Sequence, residues 1–176
     1  MAEPVAHDRA TAQELIDDMI RTATLDALSA DSPRFAPVRT QHGTPPQRLE
    51  LEVCVRFAGA GGSGVLALAC SKDAAAQLMR RSDGSPGAWL TERVAALGRR
   101  IQKRFRQFGI AVAFDSPEVL SAAGLACAAE AGLRSTYVFG PRDGDLLVHL
   151  EGELDVARIA SAGEVPLRDE GDIILF

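Results

Sequence analysis

Residues 49–70 read LELEVCVRFAGAGGSGVLALAC. Leu49, Leu51, Val53, Val55 and Phe57 alternate with Glu50, Glu52, Cys54 and Arg56, the period of two expected of a half-buried strand. Gly59, Gly61 and Gly64 follow in the spacing of a dinucleotide-binding fingerprint. That chemistry needs a helix directly after the glycines, with its N-terminus facing the pyrophosphate. Val65 to Cys70 is instead an apolar run of strand type, so the glycines are expected to turn a hairpin. Strands joined this closely argue against alternating βαβ units.

Working outward, Ser71-Lys72-Asp73 opens a helix expected to run to about Arg80, and residues 83–87 (DGSPG) form a breaker. A long helix is expected from about Ala88 to Phe108, stopped by Gly109. Four short strands are then expected at Ile110–Phe114, Val119–Ala129, Ser135–Phe139 and Leu146–Leu150, the last two joined by the turn signal of residues 140–144 (GPRDG). Upstream, Thr11-x-x-Glu14 has the form of a capping box. Ile16, Ile20, Ala23 and Ala27 then repeat at helical spacing until a Pro-rich connection begins after Ala30. Segregated helices and neighbouring strands make the fold class α+β.

The chain of 176 residues, 47% hydrophobic and 24% charged, suits one domain with a real core. Nineteen Lys and Arg against 24 Asp and Glu give −5, which opposes a general nucleic-acid or anionic-membrane binder. The N-terminal residues lack the apolar core of a secretory signal, and the longest apolar stretch, Leu120 to Ala129, is too short to span a bilayer. Cys54, Cys70 and Cys127 form neither a CxxC nor a disulfide framework and fit core positions in a reducing compartment. A cytoplasmic location is expected.

His7, His42 and His149 show no pairing at metal-ligand spacing and no neighbouring acidic partner, so no metal and no cofactor is expected. The helix from Ala88 carries more information. Leu90, Val94, Leu97, Ile101, Phe105 and Phe108 make one apolar stripe. Arg93, Arg99, Arg100, Lys103, Arg104 and Arg106 cover the rest, a basic cluster in an acidic chain. Such a face is either simply solvated or docks an acidic protein surface. Nucleic acid ranks third, because no aromatic residues interleave the charges.

The order of these segments resembles the CheC/CheX/FliY family of chemotaxis phosphatases, CheX in particular, over roughly Thr11 to Leu154. The likeness rests on Leu51–Ala69 with its Gly-interrupted hairpin, on Ala95–Arg99 around Gly98, and on Asp115–Val119. The family motif is Asp/Ser-x3-Glu-x2-Asn followed after 22 residues by Pro; anchored on Pro117, it falls on Gly87, Thr91 and Val94. In active relatives the Asn carboxamide positions the water that attacks a partner's aspartyl phosphate, and the Glu helps hold the partner. Valine cannot orient water, and threonine offers a hydroxyl without charge. A register shifted by one restores Glu92 but puts Ala95 at the Asn position and Glu118 at the Pro position. Gln102 and Gln107 are the only carboxamides on this helix, at least two turns away.

The resemblance implies a CheX/CheC-like, largely antiparallel sheet of about five or six strands covered by helices. Residues 1–10 are expected to be a flexible N-terminus, 11–154 the domain, and 155–176 an extension of unassigned structure. The implied function is a signalling module that binds a response-regulator receiver domain or another signalling protein without efficient phosphatase activity. Partner binding is expected at Arg93, Arg99, Arg100, Lys103 and Arg104, and relatives of this type imply a homodimer through a strand edge. An active aspartyl-phosphate phosphatase and a structural or dimerisation adaptor remain the alternatives.

Overall fold

The computed structural model describes residues 6–28, 37–42, 49–79, 84–119, 132–140 and 146–163. In chain order these form α1 (Ala6–Leu28), β1 (Pro37–His42), β2 (Leu51–Gly59), β3 (Gly62–Cys70), α2 (Lys72–Leu78), α3 (Pro86–Gln107), β4 (Ala113–Phe114), β5 (Glu118–Val119), β6 (Leu133–Phe139), β7 (Leu146–Leu154) and α4 (Val156–Gly163). Five strands of six to nine residues lie in the order β1-β6-β7-β3-β2. The two-residue β4 and β5 pair with the outer side of β2, and every described pairing is antiparallel. The architecture is α+β, as the segregated helices and neighbouring strands predict.

Glycine does in the first hairpin what the sequence predicts. Phe57 pairs with Gly64 and Gly59 with Gly62, which leaves Ala60 and Gly61 as the turn. Since β3 rather than a helix follows, the fingerprint spacing has no phosphate to hold.

The period of two divides the sheet into two faces. Val53, Val55, Phe57, Leu66, Leu68, Tyr137, Phe139, Val148 and Leu150 join the buried stripes of α1 and α3 in the main core. Helix α1 contributes Ile16, Ile20, Ala23 and Ala27, as its spacing predicts. Polar bonds also fix α1 to the sheet: the Tyr137 hydroxyl donates to Asp17 Oδ1 at 2.8 Å, and Gln13 Nε2 donates to Ser135 Oγ at 3.0 Å.

Three expectations are corrected, and the extension left unassigned gains a helix. Helix α1 starts at Ala6, not at Thr11, because residues 6–10 contain no Gly or Pro to stop it, so the capping-box pattern lies inside the helix. Helix α3 starts at Pro86, two residues before the expected Ala88 and inside the expected breaker, with Pro86 as its first residue and Ser85 Oγ accepting from Ala88 N at 3.3 Å. Inside the Pro-rich connection, β1 forms the sheet edge beside β6, with Pro37 at its first position, where a missing N–H is tolerated. Past residue 154, α4 is capped by Asp155, whose Oδ1 accepts from Arg158 N at 3.1 Å, and it packs on α1. The expected strand at Val119–Ala129 retains Val119 in β5; its remaining residues, Cys127 among them, lie outside the described set, as do residues 141–144 of the expected turn.

The other sheet face carries Cys54, Val65 and Ala67, then Ala69, Val138 and Leu147, and a buried polar chain. Thr136 and His149 are register partners on β6 and β7, and Thr136 Oγ1 lies 2.9 Å from His149 Nδ1. His149 Nε2 lies 3.5 Å from Glu151 Oε2, and Arg134 holds Glu151 Oε1 at 2.7 Å. The expectation that His149 has no acidic partner is thus overturned: two residues apart on β7, His149 and Glu151 share one face. Burial, the largest influence, lowers the His149 pKa from its ordinary 6.5, outweighing the opposing effect of Glu151. A histidine whose folded pKa is depressed binds fewer protons folded than unfolded. Its contribution is complete above pH 6.5 and is lost as pH falls through the folded value. Urea melts at pH 7.5 and 5 are expected to show lower stability at the acid end, with a smaller drop in His149→Gln. An identical drop in both proteins rules the histidine out as the cause.

Candidate functional site

Helix α3 carries three of the four motif positions, Gly87, Thr91 and Val94, and its ends are well defined. Gly109 N donates to Arg106 O at 3.0 Å and Ile110 N to Phe105 O at 2.9 Å, the paired bonds of a Schellman stop. Gly109 has φ +70°, which only glycine adopts without cost. Buried Phe105 and Ile110 make the apolar contact that accompanies this motif. The Arg158 guanidinium of α4 donates to Gly109 O at 3.0 Å.

Three kinds of position then alternate around the helix at about 100° per residue. Leu90, Val94, Leu97, Ile101 and Phe105 are buried against the sheet, with the Phe57 and Phe105 ring centroids 6.3 Å apart. Thr91, Gly98 and Gln102 lie on the flank turned to β4 and β5, which both pack on α3. A Cβ on Gly98 would sit 3.1 Å from the Phe114 ring, so glycine lets β4 approach closely. Gln102 Nε2 donates to Val112 O at 2.8 Å. This bond, with the Schellman stop, occupies backbone groups at 110 and 112 that a longer strand needs. The strand expected at Ile110–Phe114 is accordingly reduced to Ala113–Phe114.

The third side faces outward and carries Arg99, Arg100, Lys103 and Arg106, all exposed. Arg93 and Arg104 are half-buried, and the Arg93 guanidinium lies over the Trp89 ring at 5.8 Å from its centroid. The five basic residues expected to act together are thus separated: three are exposed, and Arg93 and Arg104 lie toward the edge. Arg106, in the last turn of the helix, completes the exposed set.

Gly87 and Pro117 are half-buried. The Thr91 hydroxyl donates to Gly87 O at 2.7 Å, one turn back in its own helix. Val94 is 0% exposed, at the centre of the apolar stripe. A side chain there reaches neither solvent nor a docked partner. Beside this part of α3, β5 presents Val119, 68% exposed and the one large hydrophobic residue so exposed among the described residues. Its neighbours Ser116 and Glu118 are also exposed.

Other chemistry has less support. Among the described residues no three His, Cys, Asp or Glu side chains are grouped to hold a metal ion. Burial pushes the Cys70 thiol up to about 12, so it is not a thiolate nucleophile near neutral pH. Among the described residues, no helix is long and apolar enough to cross a membrane.

No family model matches the chain, and no curated protein matches it significantly. Solved structures do match. The chemotaxis protein CheX from Vibrio vulnificus has a TM-score of 0.66 at 14% identity, over 77% of this chain and 97% of that one. CheX from Desulfovibrio desulfuricans gives 0.65 at 14%, over 79% and 99%. The CheX–CheY–BeF3–Mg2+ complex from Borrelia burgdorferi gives 0.60 at 13%, over 80% and 96%. The chain has the fold of the CheX and CheC proteins, as the order of its elements predicts.

Proposed function

We propose that this chain is a cytoplasmic CheX-like signalling module that binds a response-regulator receiver domain or another signalling protein without efficient phosphatase activity. The observation that carries the reading is the burial of Val94 at the position the family motif gives to Asn. A carboxamide that orients a water must reach the partner's phosphoryl group. Here the position holds an aliphatic side chain turned into the core. Thr91, at the Glu position, gives its hydroxyl proton to Gly87 O and has no charge with which to hold a partner. Binding is retained in this reading because the fold is one that, in the CheX of Borrelia burgdorferi, is found in complex with CheY.

The test is capture of receiver domains encoded in the same genome, each offered with and without BeF3 and Mg2+. Retention of at least one receiver is expected. Failure to retain any receiver in either state contradicts the reading and favours the adaptor alternative.

A further inference from the structure

Helix α3 concentrates charge that the rest of the chain opposes. Between Pro86 and Gln107 there are six cations (Arg93, Arg99, Arg100, Lys103, Arg104 and Arg106) and one acid, Glu92, a net +5. The whole chain is −5, so the remainder is −10. Three cations outside α3 are matched by carboxylates: Lys72 stands 3.7 Å from Glu50, Arg134 lies 2.7 Å from Glu151, and Arg158 lies 3.6 Å from Asp155. Arg99, Arg100 and Arg106 enter no ion pair among the described residues, and Arg100 only reaches back to Ala96 O at 3.4 Å. Their charge is therefore directed at solvent.

We propose that the exposed ridge Arg99, Arg100, Lys103 and Arg106 docks a compact acidic patch on a folded protein partner. The proposal rests on the reading of the chain as a protein-binding module and names the chemistry of its partner. The ridge spans about 10 Å at 1.5 Å per residue, close to one Debye length in physiological salt. That length fits a cluster of a few carboxylates. A nucleic-acid duplex or a flat anionic bilayer extends far beyond it, and the net −10 of the rest of the chain opposes both. Arg93, packed on Trp89, and half-buried Arg104 belong to the margin and not to the contact. Complementary charge of this kind acts mainly on the rate of association.

The test uses the full chain, wild type and two variants, Arg100→Glu/Lys103→Glu and the marginal control Arg93→Gln/Arg104→Gln. Amide NMR titration with poly-glutamate is expected to shift resonances of the ridge in wild type and control, and not in the charge-reversed variant. Association with a captured receiver domain is expected to slow about tenfold at low ionic strength in the charge-reversed variant alone. Equal responses of wild type and charge-reversed variant overturn the proposal and leave the ridge a solvated face. Tighter binding of a DNA duplex or of phosphatidylglycerol vesicles than of poly-glutamate overturns it in favour of another polyanion. If no receiver binds but poly-glutamate still needs the ridge, the docking proposal stands and the receiver reading fails.

Discussion

Truncating Phe105 to alanine is expected to cost about 3–5 kcal/mol of folding stability. Phe105 is fully buried and faces the Phe57 ring of β2, while its carbonyl accepts the bond from Ile110 that ends α3. Removing the ring leaves a cavity between helix and sheet at the point where α3, β2 and the turn to β4 meet. The loss should appear in urea denaturation as a lower midpoint with an unchanged slope. A loss below about 1 kcal/mol indicates that the helix is seated by other contacts.

Introducing the Glu and Asn of the CheX-type motif, as Thr91→Glu with Val94→Asn, is expected to destabilise the protein without creating a phosphatase. The carboxamide enters the apolar stripe between Leu90 and Leu97, where a buried amide without partners costs about 1–3 kcal/mol. Each kcal/mol lowers the melting temperature of a domain this size by about 2–4 °C. Glutamate at 91 faces the β5 flank and reaches solvent, so the Val94 change supplies most of the loss. A variant as stable as wild type that accelerates receiver dephosphorylation means that α3 can rotate to expose position 94, contrary to the packing described here.

Much of this arrangement is legible along the chain, for identifiable reasons. The alternation from Leu49 to Phe57 and the apolar stripe from Leu90 to Phe108 are long enough that one period excludes the other. Gly109 ends α3 as its position suggests. Edge strand β1 is not legible, because its six residues take their pairing from β6, more than ninety residues later, and prolines at 33, 45 and 46 suggest a loop. The polar chain Thr136–His149–Glu151 is hidden for the same reason: two of its members are adjacent only through register. At the site, spacing places Val94 on the apolar stripe, whereas the separation of Arg93 and Arg104 from the exposed ridge depends on contacts such as the Trp89 ring. Val119 carries no sequence signal of exposure, since an aliphatic residue in a strand usually faces a core.

In the proposed function the module binds a signalling partner yet lacks the groups that hydrolyse its aspartyl phosphate. The direct measurement is the decay of the phosphorylated form of a captured receiver, followed with and without stoichiometric wild-type protein. Decay at the spontaneous rate while the two proteins are bound is the predicted result. Acceleration of tenfold or more that disappears in Thr91→Ala contradicts the account, because it makes the Thr91 hydroxyl, bonded here to Gly87 O, a catalytic group.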